Sequence, residues 1–470
     1  MAQTHFKRLD AEGKALHDNW DDIARHALLV GLLSVLVWGV CTALREAVHV
    51  ALHLLFHGTA SHGVTGLVTL LVVMGVGAAV RGVLLRRPSW SDATGDGIEL
   101  ALSNYHVTYE HAGDDPQPRY SLPTFGLAAR KFAATLLTLG TGGSGGLEAP
   151  LVLISESVSS GFSRVLRVRS EYELRTYQLV GIAAAVATLL GAPFTAALFA
   201  TEIAYGDRII YRKLAWALWA GVIAFWLNTR LHGFVPLFTA PPHSPVYSVS
   251  EYGAAALVAV AVSMPVALGF GLAMSQLRLL VARIRPAWHA VVTMVVAGLV
   301  AILFTQVTDL PVSHVLGTGE ETVHAVLNGD AVVAAWWVLA LLLIGKVITT
   351  ALTLGGGGSS GLLIPSMYLG GVAGALVASL VNLTGLAQLD PALFAVVGIG
   401  SSLVAVVGVP LAAIALVFEV FGKAYGPPAI LACGVTYLVT LKFKIYKQQR
   451  VSPDPEADET GGEVVTQSAG

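Results

Sequence analysis

The amino-acid sequence predicts an all-α, polytopic membrane protein built on an antiparallel internal repeat with broken helices. Three observations lead there. The first is composition: 55% of the 470 residues are hydrophobic and 12% are charged, whereas a soluble domain carries about 25% charged residues. The second is a series of apolar segments, several near the length of about 20 residues that a bilayer core requires. The third is repetition. Lys131 to Pro150 reads K-F-A-A-T-L-L-T-L-G-T-G-G-S-G-G-L-E-A-P, and Lys346 to Pro365 reads K-V-I-T-T-A-L-T-L-G-G-G-G-S-S-G-L-L-I-P; at an offset of 215, twelve of twenty positions are identical. A further match, 180–193 with 397–410, has an offset of 217 that still holds at Glu202 and Glu419. Small-residue helix packing alone does not explain order, offset and identity together. Two related halves, each broken by glycines at the same place, point to a transport site at their interface.

In chain order, residues 1–25 form a polar, charged segment expected to be cytoplasmic, with no short apolar core and cleavage site of a signal peptide. The first membrane half spans 26–240, with apolar segments at 26–45, 64–85, 122–139, 148–166, 176–190, 192–205 and 214–228. A polar stretch, 89–120, interrupts it around the small segment 94–102. The second half spans 250–447, with segments at 252–283, 288–306, 331–354, 361–382, 391–407, 409–421 and 427–443. Several are too short or too Gly/Pro-rich to cross fully, which is tolerated at membrane depth only where protein or a water-filled cavity covers the backbone. Residues 448–470 are acidic and read as a disordered cytoplasmic tail.

Loop charge sets the expected orientation. Lys and Arg cluster at 7–25, 86–87, 164–175, 208–213, 278–285 and 442–450, and are missing from 46–63, 305–330 and 383–392. The first group is then cytoplasmic, the second external, and both termini lie inside a cell membrane. A net charge of −2 gives no sign of a nucleic-acid partner, and the two cysteines, Cys41 and Cys433, imply neither a disulfide frame nor a metal site. No cofactor is expected.

The glycine runs supply a site. Gly140, Gly142, Gly143, Gly145 and Gly146 precede an apolar helix that begins near Glu148; the second copy precedes one that begins near Leu363. Glycine lets the backbone approach a ligand closely, and a helix start offers unpaired N–H groups and a positive dipole end that favour anions. Lys131 and Lys346 would add positive potential, or else snorkel to the interface. Glu148 is costly in such an apolar setting, and a membrane carboxylate is a functional candidate by default. Among anion-favouring N–H groups it could occupy the site itself, and protonation would release it.

These residues also carry a family resemblance. G-G-L-E-A-P (145–150) resembles the G-R-E-G-P signature of CLC chloride channels and transporters, G-L-L-I-P (361–365) their G-x-F-x-P, and T-G-D-G-I-E (94–99) their G-S-G-I-P. The resemblance covers roughly 26–447. It implies an all-helical homodimer with one anion pathway per subunit and a gating glutamate, Glu148. Chloride would be held by the backbone around Gly146, Leu147 and Ala149 and around Gly361, Leu362, Leu363 and Ile364. A late tyrosine would complete the central site; Tyr446 fits by order, with Tyr437 the other candidate. The departures are specific. The family's central serine falls on Asp96, a carboxylate that repels an anion unless protonated or turned away. Its proline falls on Glu99, its phenylalanine on Leu363, and the arginine before the gate on Leu147. The inner glutamate of proton-coupled members falls on Ile203, which cannot carry a proton. Coupling is then absent, or Asp96, Glu156 or Glu202 substitutes; Glu202 and Glu419, being repeat-related, read first as structural.

The expected function is therefore transport of chloride or a similar anion, by conduction or by weakly proton-coupled exchange. The rival is a secondary transporter of another anion or solute with full proton coupling. An intramembrane hydrolase using Ser144 fits poorly, because Ser359 repeats it and no membrane histidine pairs with it as base. A phosphate-binding loop lacks the following G-K-[ST]. His49, His53, His57 and His62 read as a polar helix face rather than a metal site.

Overall fold

The computed structural model describes residues 2–61, 63–110, 124–206, 209–234, 236–242, 249–281, 283–284 and 288–441. The basic cluster at 442–450 and the acidic tail fall outside them. Among the described residues sixteen α-helices follow one another: α1 (Ala2–Ser61), α2 (Gly63–Leu85), α3 (Ile98–Glu110), α4 (Thr124–Leu139), α5 (Glu148–Val165), α6 (Glu171–Leu190), α7 (Pro193–Glu202), α8 (Tyr211–His232), α9 (Val249–Val281), α10 (His289–Thr308), α11 (Glu320–Leu327), α12 (Trp336–Gly355), α13 (Leu363–Thr384), α14 (Pro391–Val407), α15 (Pro410–Leu416) and α16 (Gly426–Thr440). Among the described residues, seven stretches are helical, long and apolar enough to cross a bilayer. The protein is an all-helical, multi-pass membrane protein.

The first helix departs from expectation. It continues through 46–61, which the charge pattern assigns to an external loop. The extension carries Leu52, Leu55 and Phe56 on one face, and these meet the glycine loops: a Cβ on Gly317 would stand 3.3 Å from Phe56 and 3.4 Å from Leu52, and one on Gly142 would stand 3.2 Å from Leu55. The helix persists because that face has a surface to cover. Two charges counted as loop cations are also buried. Arg175 lies over the Tyr105 ring at 5.2 Å and Lys213 over Tyr172 at 4.9 Å.

The repeat shows in how helices break. α6 ends at Gly191, φ +65°, and α14 at Gly408, φ +76°. Both take the left-handed turn that glycine adopts at least cost. Pro193 and Pro410 then open α7 and α15, where a missing N–H costs nothing. Each short helix is capped by the other. Glu202, at the end of α7, accepts the N–H groups of Leu411 (3.0 Å) and Ala412 (2.9 Å). Glu419, in a π-turn after α15, accepts those of Phe194 (3.0 Å) and Thr195 (2.8 Å) and the Thr195 hydroxyl (2.8 Å). A buried carboxylate is costly, and so is a buried helix start without acceptors; the exchange resolves both.

Glu202→Ala is expected to lower the thermal unfolding midpoint in detergent, since leaving buried N–H groups without an acceptor costs about 1–3 kcal/mol. Glu202→Gln, which keeps one acceptor oxygen, should lose less. Equal midpoints for Glu202→Ala and the unaltered protein would rule out a structural cap.

Candidate functional site

Four helix starts meet at the glycine loops. α4 leads through residues 140–147 into α5, and α12 leads through 356–362 into α13. The G-D-G turn 95–97 opens α3, with φ +69° at Gly95 and +96° at Gly97; the G-T-G turn 317–319 opens α11, with φ +60° at Gly317 and +84° at Gly319. Side chains are strained at these φ values, so glycine recurs.

The loops are tied by backbone hydrogen bonds. Gly146 N–H donates to Gly361 O at 2.9 Å and Gly361 N–H returns the bond to Gly146 O at 2.7 Å. Gly95 N–H donates to Gly358 O (3.0 Å) and Gly145 N–H to Gly317 O (3.1 Å). Hydroxyls repeat the exchange. Thr135 pairs with Ser359 at 2.8 Å, and its counterpart Thr350 pairs with Ser144 at 2.9 Å. Ser144 N–H donates to Thr353 Oγ1 and Ser359 N–H to Thr138 Oγ1, each at 3.0 Å. Every partner in these two exchanges is one the sequence repeat equates.

Both lysines face inward. Lys131 is fully buried, and its ammonium donates to the carbonyls of Gly95 (2.7 Å), Ala93 (3.4 Å) and Thr94 (3.4 Å). Those three acceptors match its three protons. Lys346, also fully buried, donates to Gly317 O at 2.9 Å and lies over the Tyr368 ring. Neither snorkels: each buttresses the G-x-G turn of its own half.

Glu148 is the first residue of α5 and is 2% exposed. Its carboxylate accepts the backbone N–H of Ile364, in the first turn of α13. Its Oε2 is buried and has no hydrogen-bond partner among the described residues. Leu147, Ala149, Leu362, Leu363 and Ile364 are buried around it. Helical bonding begins only with Leu151 N–H to Leu147 O (3.0 Å) and Ser366 N–H to Leu362 O (2.8 Å). The N–H groups of 147–149 and 362–364 therefore precede the first intrahelical bonds. A carboxylate lies between two sets of donors that would suit a small anion.

The other sequence candidates sort by their partners. Asp96 is half-buried, and its Oδ1 accepts the Ile98 N–H at 3.2 Å, capping α3. Both Glu202 oxygens cap α15. Both Glu156 oxygens are engaged as well: Oε1 accepts from Ser160 (3.0 Å) and Gln178 (2.9 Å), and Oε2 from Asn104 (3.2 Å). Ile203 is fully buried. Tyr446 lies outside the described residues; Tyr437, on α16, packs against the core. The G-T-G-E stretch, 317–320, did not enter the sequence reading. Its resemblance to G-D-G at 95–97 was the available signal, hidden because this pair is offset by 222 rather than 215. Beside it, His314 Nδ1 pairs with the Thr322 hydroxyl at 2.9 Å, and Tyr368 donates to His314 O at 2.9 Å.

Gly361→Ala tests the loop pairing. Its Cβ would stand 2.8 Å from Ala149 Cβ and 3.1 Å from Ala149 N, so the two loops must separate. A clear fall in unfolding midpoint is expected, whereas Gly39→Ala, with open space around it in α1, should hold or gain stability. Equal midpoints in the two variants would contradict the close pairing.

Comparison with known proteins follows from this geometry. Residues 77–441 match the sequence profile of the family described as voltage gated chloride channel. A putative chloride channel protein, ClcB-like, of Ralstonia nicotianae is 28% identical over 317 residues, covering 65% of this chain and 70% of that protein. The crystal structure of a CLC-type fluoride/proton antiporter superposes with a TM-score of 0.74 at 20% identity, covering 92% of this chain and 99% of that one. That of a slow cyanobacterial chloride/proton antiporter gives 0.76 at 18% identity, with 89% and 94% covered. A eukaryotic CLC transporter gives 0.66 at 17% identity, with 91% and 73% covered.

Proposed function

The chain belongs to the voltage gated chloride channel family, and from that premise we propose that it moves small anions, chloride foremost, along a path between the starts of α5 and α13, with Glu148 as the gate. The observation that carries this reading is the Glu148 carboxylate, buried between two helix starts, with Ile364 N–H as donor and one oxygen without a partner. In that position it stands where a permeating anion would bind. Protonation removes its charge and its claim on the donors, and the side chain can then leave. The relatives act on chloride or fluoride by their descriptions, which suits a site lined by backbone donors rather than by a large apolar pocket. Asp96 belongs to the inner end of this path, where its hold on Ile98 N–H turns one oxygen away from a passing anion.

Proton coupling is read as weak. Ile203 carries no proton, and the oxygens of Glu156 and Glu202 are already taken by donors. Full coupling remains the second reading, favoured by two antiporters among the structural relatives. A homodimer in a cell membrane, with one path per subunit and both termini on the cytoplasmic side, completes the proposal.

Reconstituted into proteoliposomes, the protein should take up radiolabelled chloride; no flux would favour another solute. Acid should stimulate the flux, and Glu148→Gln and Glu148→Ala should both make it independent of pH. Unchanged pH dependence in either variant would remove Glu148 from the gate. A chloride gradient should drive little or no uphill proton movement, and sustained uphill transport would overturn weak coupling.

A further inference from the structure

Glu148 has a proton problem. It is 2% exposed, so water does not reach its carboxylate directly, yet the gate must exchange a proton with solvent. The neighbouring elements contain one group placed to do this. Glu320 is the first residue of α11, directly after the G-T-G turn. That turn is bonded to the loop before Glu148, through Gly145 N–H to Gly317 O at 3.1 Å. The loops ahead of two helices are thus hydrogen-bonded, and each helix has a glutamate at its first position. Glu320 is partly exposed where Glu148 is not.

The surroundings of Glu320 suit a group that gains and loses a proton. Its carboxylate accepts a side-chain hydrogen bond from Thr318, whose hydroxyl can donate to a carboxylate or accept from a carboxylic acid. It interacts electrostatically with Arg45 and His49 of α1 and Lys346 of α12, and with Glu148 itself. Glu321 follows it on α11, and His314 and Tyr368 pack behind the same turn. Gly319 makes room for the lysine: a Cβ there would stand 2.9 Å from Lys346 Nζ. Two carboxylates that feel each other's charge hold one proton between them more cheaply than none, and a single lysine beside them balances one negative charge. Outward from Glu320 the groups are exposed. His49, His53 and His57 stand at four-residue intervals on α1, with ring centroids 6.5 Å and 5.9 Å apart.

We propose that Glu320 passes protons between Glu148 and the face of the protein on which α1 ends. The carboxylic acid of Glu320 gives its proton to the Glu148 carboxylate, whose Oε2 has no partner among the described residues, through an intervening water or when the two side chains come within hydrogen-bond reach. The Glu320 carboxylate so formed takes a proton from water at the mouth, beside Arg45 and His49. The reverse sequence discharges the gate to the same face. The inference rests on Glu148 being the gate. It adds the route by which that gate is charged, and it makes the route one-sided.

Chloride flux through the full-length protein in planar bilayers, with pH varied on one face at a time, tests it. In the unaltered protein, acid on the face where α1 ends should open the path. Glu320→Gln should slow the approach to the new flux after a pH step on that face by about a hundredfold, the lower end of what a positioned acid or base contributes. The response to the opposite face should stay as it was. Glu320→Asp keeps a carboxyl group and should retain most of the rate, which also shows that residue 320 tolerates change. If both variants conduct and respond to both faces at the unaltered rate, Glu320 is not the route. If Glu320→Gln and Glu320→Asp are equally slow, the carboxyl group is not what matters, and the proposal fails. If Glu148→Gln still responds to pH, the gate assignment itself has failed, separately from the role of Glu320.

Discussion

Everything at the centre of this molecule depends on two glycine loops touching. The reciprocal pair of hydrogen bonds between Gly146 and Gly361, at 2.9 and 2.7 Å, joins the starts of α5 and α13 backbone to backbone. A Cβ on Gly361 would press on Ala149, and one on Gly146 would meet the Glu148 carboxylate. The hydroxyl exchanges between Thr135 and Ser359 and between Ser144 and Thr350 hold the same contact from either side. With the loops clasped, the first-turn N–H groups of two helices face one small volume. Neither helix offers more than a few donors alone; together they form the site proposed for an anion, in a medium where unsatisfied donors are expensive.

Buried charge is handled differently on the scaffold and at Glu148. On the scaffold several buried charges have both ends or all protons engaged. Lys131 spends its three protons on three carbonyls. Glu202 and Glu419 exchange caps between α7 and α15. Glu156 is bound through both oxygens by side chains of α3, α5 and α6. Such groups are costly to disturb and stay as they are. Glu148, between the two helix starts, keeps a buried oxygen without a donor among the described residues. A group that is incompletely satisfied when charged is one whose protonation costs least, which suits the gating role proposed for it.

The two halves share their architecture and differ in their chemistry. Gly95-Asp96-Gly97 answers Gly317-Thr318-Gly319, and each turn is buttressed by the lysine of its own half. Glu148 answers Leu363. One half therefore supplies the buried carboxylate at the centre, and the other supplies donors and, through Glu320, a second carboxylate nearer the surface. Symmetry builds the paired helix starts; departures from symmetry set the charges around them.

Much of this was legible in the linear chain. Composition and segment length required a membrane protein, the offset of 215 exposed the repeat, and glycine runs ahead of Glu148 and Leu363 marked the helix starts. These are local properties: hydropathy, backbone freedom and identity at a fixed spacing do not depend on what folds against what. The partners of each charge do depend on it. Nothing in the sequence says that Lys131 reaches back to Ala93, Thr94 and Gly95, that Glu202 caps a helix 209 residues later, or that α1 continues to Ser61 because Gly317 and Gly142 wait beside it. Charge counting placed Arg175 and Lys213 in a solvated loop, and only tertiary packing shows them buried against tyrosine rings. The sequence by itself determined the class of fold and the position of the buried carboxylate at the start of α5. The tertiary structure decided which buried charges are fixed and which is left incomplete, because satisfaction of a polar group is a property of neighbours brought together from distant parts of the chain.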